Sequence, residues 1–277
     1  DMALGNTLVS EYNEGFNAFS NPALLSSVTY SEIGVSQFAM SLDRYIQAFS
    51  FSQNLSDNSG ASISFFNSGV SDIDGRDLYN SSTGKFSSNE GYLMLSFGTR
   101  LNQKIDFGFN IKTIFHNIDQ YSSNGISADI GIIYNISNKL KASLIIDDLF
   151  GEYSWEGLSE TSASFKESLP MVSSLGVSYK INDSVKSLSK IDYVSPNDFN
   201  LFRFSSGIEI DKDLYIIRVG AIQSNGLNNE SFKAKFLIGI GANVGTLGGR
   251  VIRLDYCIDF GQENEGISNL FSLSFIK

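Results

Sequence analysis

FRFSSGIEI, residues 202–210, puts Phe202, Phe204, Ile208 and Ile210 on one side of an extended chain and Arg203, Ser205, Gly207 and Glu209 on the other. Alternation with a period of two is the mark of a strand, since successive side chains point to opposite faces. Working outward, the same two-phase reading holds for Tyr215–Gln223, Phe232–Val244, Ile252–Phe260 and Leu270–Lys277. It is sharpest upstream, in IDFGFNIKTIF. There Ile105, Phe107, Phe109, Ile111 and Phe115 face one way, and Asp106, Gly108, Asn110, Lys112 and His116 the other. These runs exceed the usual strand of about 5–6 residues and match the roughly 9–11 a tilted strand needs to cross a bilayer. Bulky apolar groups in one phase and charges in the other describe a wall with hydrocarbon outside and water within.

The totals agree with that reading. The 277 residues include 22 Phe and 12 Tyr but only 3 Pro, and 18% are charged. A net charge of -10 opposes binding to nucleic acid, whose phosphates require a basic face. No apolar run reaches the length of a transmembrane helix. The single cysteine, Cys257, and single histidine, His116, exclude an internal disulfide, a cysteine zinc site and a histidine triad. A start at Asp1 without a basic and apolar leader suits a processed chain.

Nine further extended segments bring the expected count to about fourteen: 30–40, 45–54, 60–67, 90–101, 104–117, 125–135, 140–148, 171–181 and 185–194. Short connections rich in turn formers fall near residues 56–59, 102–103, 137–138, 182–183, 212–213 and 246–248. The longer connections, 68–89, 118–124, 149–170, 195–201, 224–231 and 261–267, all fall at the opposite end. Short turns on the periplasmic side and long loops outside are the habit of outer-membrane barrels. The expected fold is therefore an all-β transmembrane antiparallel barrel in the bacterial outer membrane, with both termini periplasmic. Residues 29–277 form the barrel. Residues 1–28 do not alternate, and Ser20 and Asn21 before Pro22 provide a helix cap and first turn, so this segment is expected to make a short helical plug in the lumen.

FSNPALLSS (19–27) resembles the Asn-Pro-Ala segment of fatty-acid-transporter-like outer-membrane barrels and their PorV/PorQ relatives. GISADIGIIYNISNKLKASLIIDDLFGEYSW (125–155), Leu169-Pro170 and LGVSYKI (175–181) are similar to the PorV/PorQ order of strand, turn, strand, acidic loop and Leu-Pro strand start. Arg253-Leu254-Asp255-Tyr256 resembles that family's penultimate-strand signature. The resemblance implies fourteen strands with the N-terminal segment in the lumen, and a role as outer-membrane anchor or subunit in type IX secretion or surface attachment. The short chain favours the PorQ-like side. The more distant relatives carry hydrophobic small molecules, and on that alternative Phe16, Phe19, Leu24 and Leu25 line a movable hatch.

The hatch candidates are Phe19, Asn21, Pro22, Ala23 and Leu24. Lys112, Asp129, Lys190, Asp192, Arg203, Glu209, Arg218, Lys233, Lys235, Arg253, Asp255 and Asp259 fall in the lumen phase, where buried charges persist only when paired. Phe150, Tyr153 and Trp155 are expected in an outer loop, either as a partner-facing surface or as part of an aromatic girdle. Asp147, Asp148, Glu152, Glu156 and Glu160 make the same loop acidic, and it reads as a solvated loop in preference to a calcium site. No nucleophile elbow, phosphate loop or dinucleotide fingerprint is present, so neither enzymatic activity nor a cofactor or metal is expected. The expected partners are membrane lipid, secretion or surface proteins at the outer loops, and, on the alternative reading, a small hydrophobic ligand. Large apolar residues are sparse in the lumen phase, which places the anchor reading ahead of transport.

Overall fold

The computed structural model describes residues 1–156, 165–195, 201–212, 214–224, 233–261 and 266–276; the side chains of Glu156 and Lys233 lie outside that description. The strands are β1 (Glu32–Ala39), β2 (Arg44–Ser56), β3 (Ser59–Arg76), β4 (Ser82–Asn102), β5 (Ile105–Ile118), β6 (Tyr121–Asn135) and β7 (Leu140–Glu156). They continue with β8 (Phe165–Ser168), β9 (Met171–Asn182), β10 (Val185–Ser195), β11 (Leu201–Asp211), β12 (Tyr215–Ser224), β13 (Lys233–Leu247), β14 (Arg250–Asp259) and β15 (Ser268–Ile276). Each strand pairs antiparallel with its neighbours, β1 pairs with β15, and β6 pairs with β7, so the sheet closes on itself. β8 pairs only with β7, as a short flap. The wall is thus a transmembrane antiparallel barrel of fourteen strands, and closure leaves no unpaired edge to face lipid.

The expected phases are those of the structure. On β5, Asp106, Gly108, Asn110 and Lys112 are buried within, while Phe109 and Ile111 are 38% and 52% exposed on the outside. Phe236, Ile238 and Ile240 likewise face out at 60%, 46% and 53% exposure. In water each such side chain would forgo about 1.5–3 kcal/mol of burial, so a belt of them is stable only in hydrocarbon. Tyr134, Tyr179 and Tyr215 are exposed at the short-turn ends of β6, β9 and β12, the level of an interfacial aromatic girdle.

Two expectations change at the long-loop end. Residues 68–89 are not a loop: β3 and β4 continue as a paired hairpin whose turn is only 77–81, and β5 and β6 meet at a turn of Asp119 and Gln120. Above the membrane both faces of a hairpin meet water, so the apolar alternation that reveals a strand disappears although the backbone ladder goes on. The expected loops at 195–201, 224–231 and 261–267, and much of 149–170, lie wholly or partly outside the described residues.

The chain before β1 fills the middle of the barrel. It comprises a 3-10 turn at Met2–Leu4, one turn of α-helix at Asn17–Ser20, and a second 3-10 segment at Pro22–Ser27. Asn21 caps the last of these, its Oδ1 accepting from the Ala23 N–H at 2.9 Å, while its Nδ2 donates to the Val9 carbonyl at 2.8 Å. Leu4, Leu8, Ala23, Leu24, Leu25 and Val28 are buried against the wall.

Candidate functional site

The plug sits where the wall has no side chains. Gly60, Gly98, Gly108 and Gly131 stand directly opposite one another on β3, β4, β5 and β6. A Cβ on Gly98 would lie 2.3 Å from the Pro22 carbonyl oxygen, one on Gly108 2.3 Å from the Pro22 carbonyl carbon, and one on Gly131 2.0 Å from Asn21 Oδ1. Across the barrel, Gly207 on β11 faces Gly220 on β12 and admits the Leu4–Gly5 turn in the same way. These glycines are required by close approach of another backbone.

Around this seat the lumen charges are joined. Arg218 bridges Glu209 at 2.9 Å and Asp255 at 2.5 Å, Lys235 meets Asp259 at 2.6 Å, and Lys112 lies between Asp129 at 2.7 Å and Asp148 at 2.6 Å. Lys190 reaches Asp192 at 3.1 Å, and Arg203, nearer the rim, approaches the same carboxylate at 3.9 Å. Lys233 carries no side-chain description. Other polar pairs tie wall to plug: Arg253 with Glu14, Lys141 with Glu11 at 3.1 Å, and Glu32 with Tyr12 and with the Gly15 N–H at 3.0 Å. Burial, with the Glu32 carboxylate beside it, holds the Tyr12 hydroxyl above its ordinary range, so it remains a donor. Cys257 is buried beside Ala3 of the plug, and its single thiol has no partner cysteine.

The aromatic outer-loop assignment is corrected. Tyr153 and Trp155 are 7% exposed, on β7, and pack inward with Ile114 and against the His116 ring. Only Phe150 is presented outward, at 93% exposure. Asp147 and Asp148 are not part of a solvated acidic loop either, because both lie on β7 and face the lumen. The cause is a double bulge: β7 carries extra residues opposite β6 between Ile146 and Glu152, with Asp148 and Phe150 at positive φ. Asp129 fixes the first bulge by accepting from the Asp148 N–H at 3.0 Å. Among the described residues no group of acidic, histidine or cysteine side chains is arranged to hold a metal ion.

Above the plug, on the side of the longer connections, lies a chamber of about 430 Å³. Its apolar lining comes from two sources. Phe16 and Phe19 rise from the plug, and Ile46, Phe66, Tyr92, Ile145 and Leu270 project inward from the wall. Phe66 and Tyr92 stack at 5.1 Å between centroids, and Phe19 lies 6.4 Å from Tyr92, so plug and wall share one aromatic surface. A narrow cleft of about 120 Å³ along the plug borders the chamber at Met2, Asn13 and Phe16. It borders a lower cavity of about 290 Å³ at Tyr12 and Glu14. The sequence pattern hid this chamber, because each strand contributes only one or two inward apolar residues among small, polar or charged ones. Only closure assembles them.

A lipid-spanning barrel with a seated plug and an apolar antechamber is the class that fold and lumen define. No family model and no curated protein sequence matches the chain. Solved structures do resemble it in fold. The CymD monoaromatic hydrocarbon channel superposes with a TM-score of 0.70 at 11% identity over 99% of this chain and 94% of that one. The P. putida toluene transporter TodX gives 0.69 at 12% identity over 96% and 95%. A Pseudomonas aeruginosa FadL homologue gives 0.68 at 11% identity over 99% and 95%. The chain therefore shares the barrel fold of these three proteins, and the PorV/PorQ likeness gains no support from them.

Proposed function

We infer that the protein lies in the outer membrane and passes small hydrophobic molecules through its lumen, without enzymatic chemistry. The observation that carries this is the 430 Å³ chamber with its aromatic lining, which is the size and character of a site for a compact apolar ligand. The named hydrocarbon channel and toluene transporter with the same fold add weight. The secretion-anchor reading depends on the PorV/PorQ resemblance and on a lumen filled with polar pairs. Ion pairs such as Lys190–Asp192 stand beside the upper chamber too, but most of its exposed lining is apolar, which favours transport.

The cleft beside the plug suggests the route from the chamber downward, and two plug-to-wall contacts close it, Glu14 with Arg253 and Tyr12 with Glu32. Ligand in the chamber touches Phe16 and Phe19 directly, so its arrival bears on the part of the plug that must shift. The test is uptake of ring-labelled ethylbenzene by cells in which this barrel is the only hydrocarbon channel of the outer membrane. Ala48 lines the chamber and makes no side-chain hydrogen bond, so Ala48→Trp should fill the space without loosening the plug. Uptake by Ala48→Trp is expected to fall to the level of cells lacking the barrel. Equal uptake with and without the wild-type barrel would refute the proposal.

A further inference from the structure

Among the described residues that line the chamber, one acidic side chain has no partner. Among the described residues Asp147 makes no hydrogen bond or ion pair, yet it lines both the 430 Å³ chamber and the adjoining 340 Å³ cavity. The charges around it are committed elsewhere. Lys112 is held between Asp129 and Asp148, and Lys190 and Arg203 both serve Asp192. Four carboxylates, Asp129, Asp147, Asp148 and Asp192, thus stand against the three cations Lys112, Lys190 and Arg203. Glu90, exposed at the edge of the adjoining cavity, adds further negative charge. The neighbouring Tyr92 ring already faces a cation, with Lys112 Nζ 5.3 Å from its centroid.

Resting on the transport reading, we propose that the preferred ligands are small apolar molecules carrying a protonated amine, whose ammonium group is received by Asp147. The ammonium N–H groups donate to the unpaired carboxylate, and the apolar body lies against Phe19, Phe66 and Tyr92. A half-buried, unpaired carboxylate gains most from a partner that is both charged and hydrogen-bonding, and aromatic faces add to the attraction for a cation. The same field works against a carboxylate-bearing ligand of equal size, because like charges in a poorly solvated space repel strongly. Double-bulge geometry supports this assignment: it turns Asp147 and Asp148 both inward, and Lys112 satisfies only one of them.

Three probes of matched bulk separate the possibilities: 2-phenylethylamine, ethylbenzene and 3-phenylpropionate, titrated calorimetrically at neutral pH into the intact barrel held in amphipol. The amine is expected to bind about tenfold more tightly than ethylbenzene, the size of effect a hydrogen bond to a charged group supplies, with the carboxylate weakest. In Asp147→Asn the advantage of the amine should vanish while ethylbenzene affinity is unchanged, which also certifies that the chamber is intact. Ethylbenzene binding as tightly as the amine to the wild type, or a preference that survives Asp147→Asn, overturns the inference and leaves the transport reading standing. Failure of all three probes to bind overturns both.

Discussion

In Gly108→Val the N-terminal plug is expected to leave its seat. A Cβ at this position would fall 2.3 Å from the Pro22 carbonyl carbon and 2.4 Å from the Ala23 nitrogen, and both are backbone atoms that cannot rotate aside. The Asn21–Ala23 turn must therefore move, carrying Leu24 and Leu25 out of their burial. Losing about 1.5 kcal/mol or more from each leucine predicts amide exchange across residues 17–27 accelerated by about a hundredfold. Ion conductance in a planar bilayer should rise with it, since the exposed lumen is polar. Gly245→Val is the control: it adds the same side chain to β13, where nothing lies within 4 Å, and should leave exchange and conductance as they are.

The second large effect is expected at Arg218. Its guanidinium is the common partner of Glu209 and Asp255, and all three side chains are mostly buried in the lumen wall. Arg218→Met removes the cation, strands Asp255 and leaves Glu209 with only the longer Lys186 contact at 3.4 Å, and losing one member of a buried pair costs about 3–5 kcal/mol. The midpoint of urea unfolding, followed by the gel mobility shift of the folded barrel, should fall accordingly. Adding Glu209→Gln and Asp255→Asn to Arg218→Met should restore most of the loss, because the destabilisation comes from the stranded charges. A triple variant as unstable as the single one would show that packing around the arginine stem is what matters.

The barrel was legible because its exterior obeys one rule over many residues. On β5 and β11 every second position must meet lipid, and the sequence shows it without ambiguity. The rule fails where the environment changes. Beyond the membrane, β3 and β4 run on through residues 68–89 with polar residues on both faces, so nothing distinguishes strand from loop. Within β7, Asp148 and Phe150 at positive φ break the count, and Tyr153 and Trp155 read as loop residues although they are lumen residues. A signal for the bulge was present in Asp147-Asp148, two consecutive charges late in β7.

The plug's seat was also written in the sequence, as Gly98, Gly108 and Gly131 in the mainly polar inward phases of three adjacent strands. A glycine repeated at one level across adjacent strands asks for something close by, and the only segment left to supply it was the non-alternating N-terminus. The chamber could not be read this way. Ile46, Phe66, Tyr92, Ile145 and Leu270 are far apart in sequence, and their proximity depends on strand register and closure.

Transport through this lumen requires an apolar molecule to rest between the plug and the upper wall. The most direct measurement is an experimental density map of the barrel saturated with 4-bromoethylbenzene, whose bromine marks its own position. The expected result is a bromine peak enclosed by Phe16, Phe19, Phe66 and Tyr92, with the ring on the Asp147 side of the plug. A chamber holding only water, with bromine confined to the outer belt around Phe236 and Ile238, would contradict it.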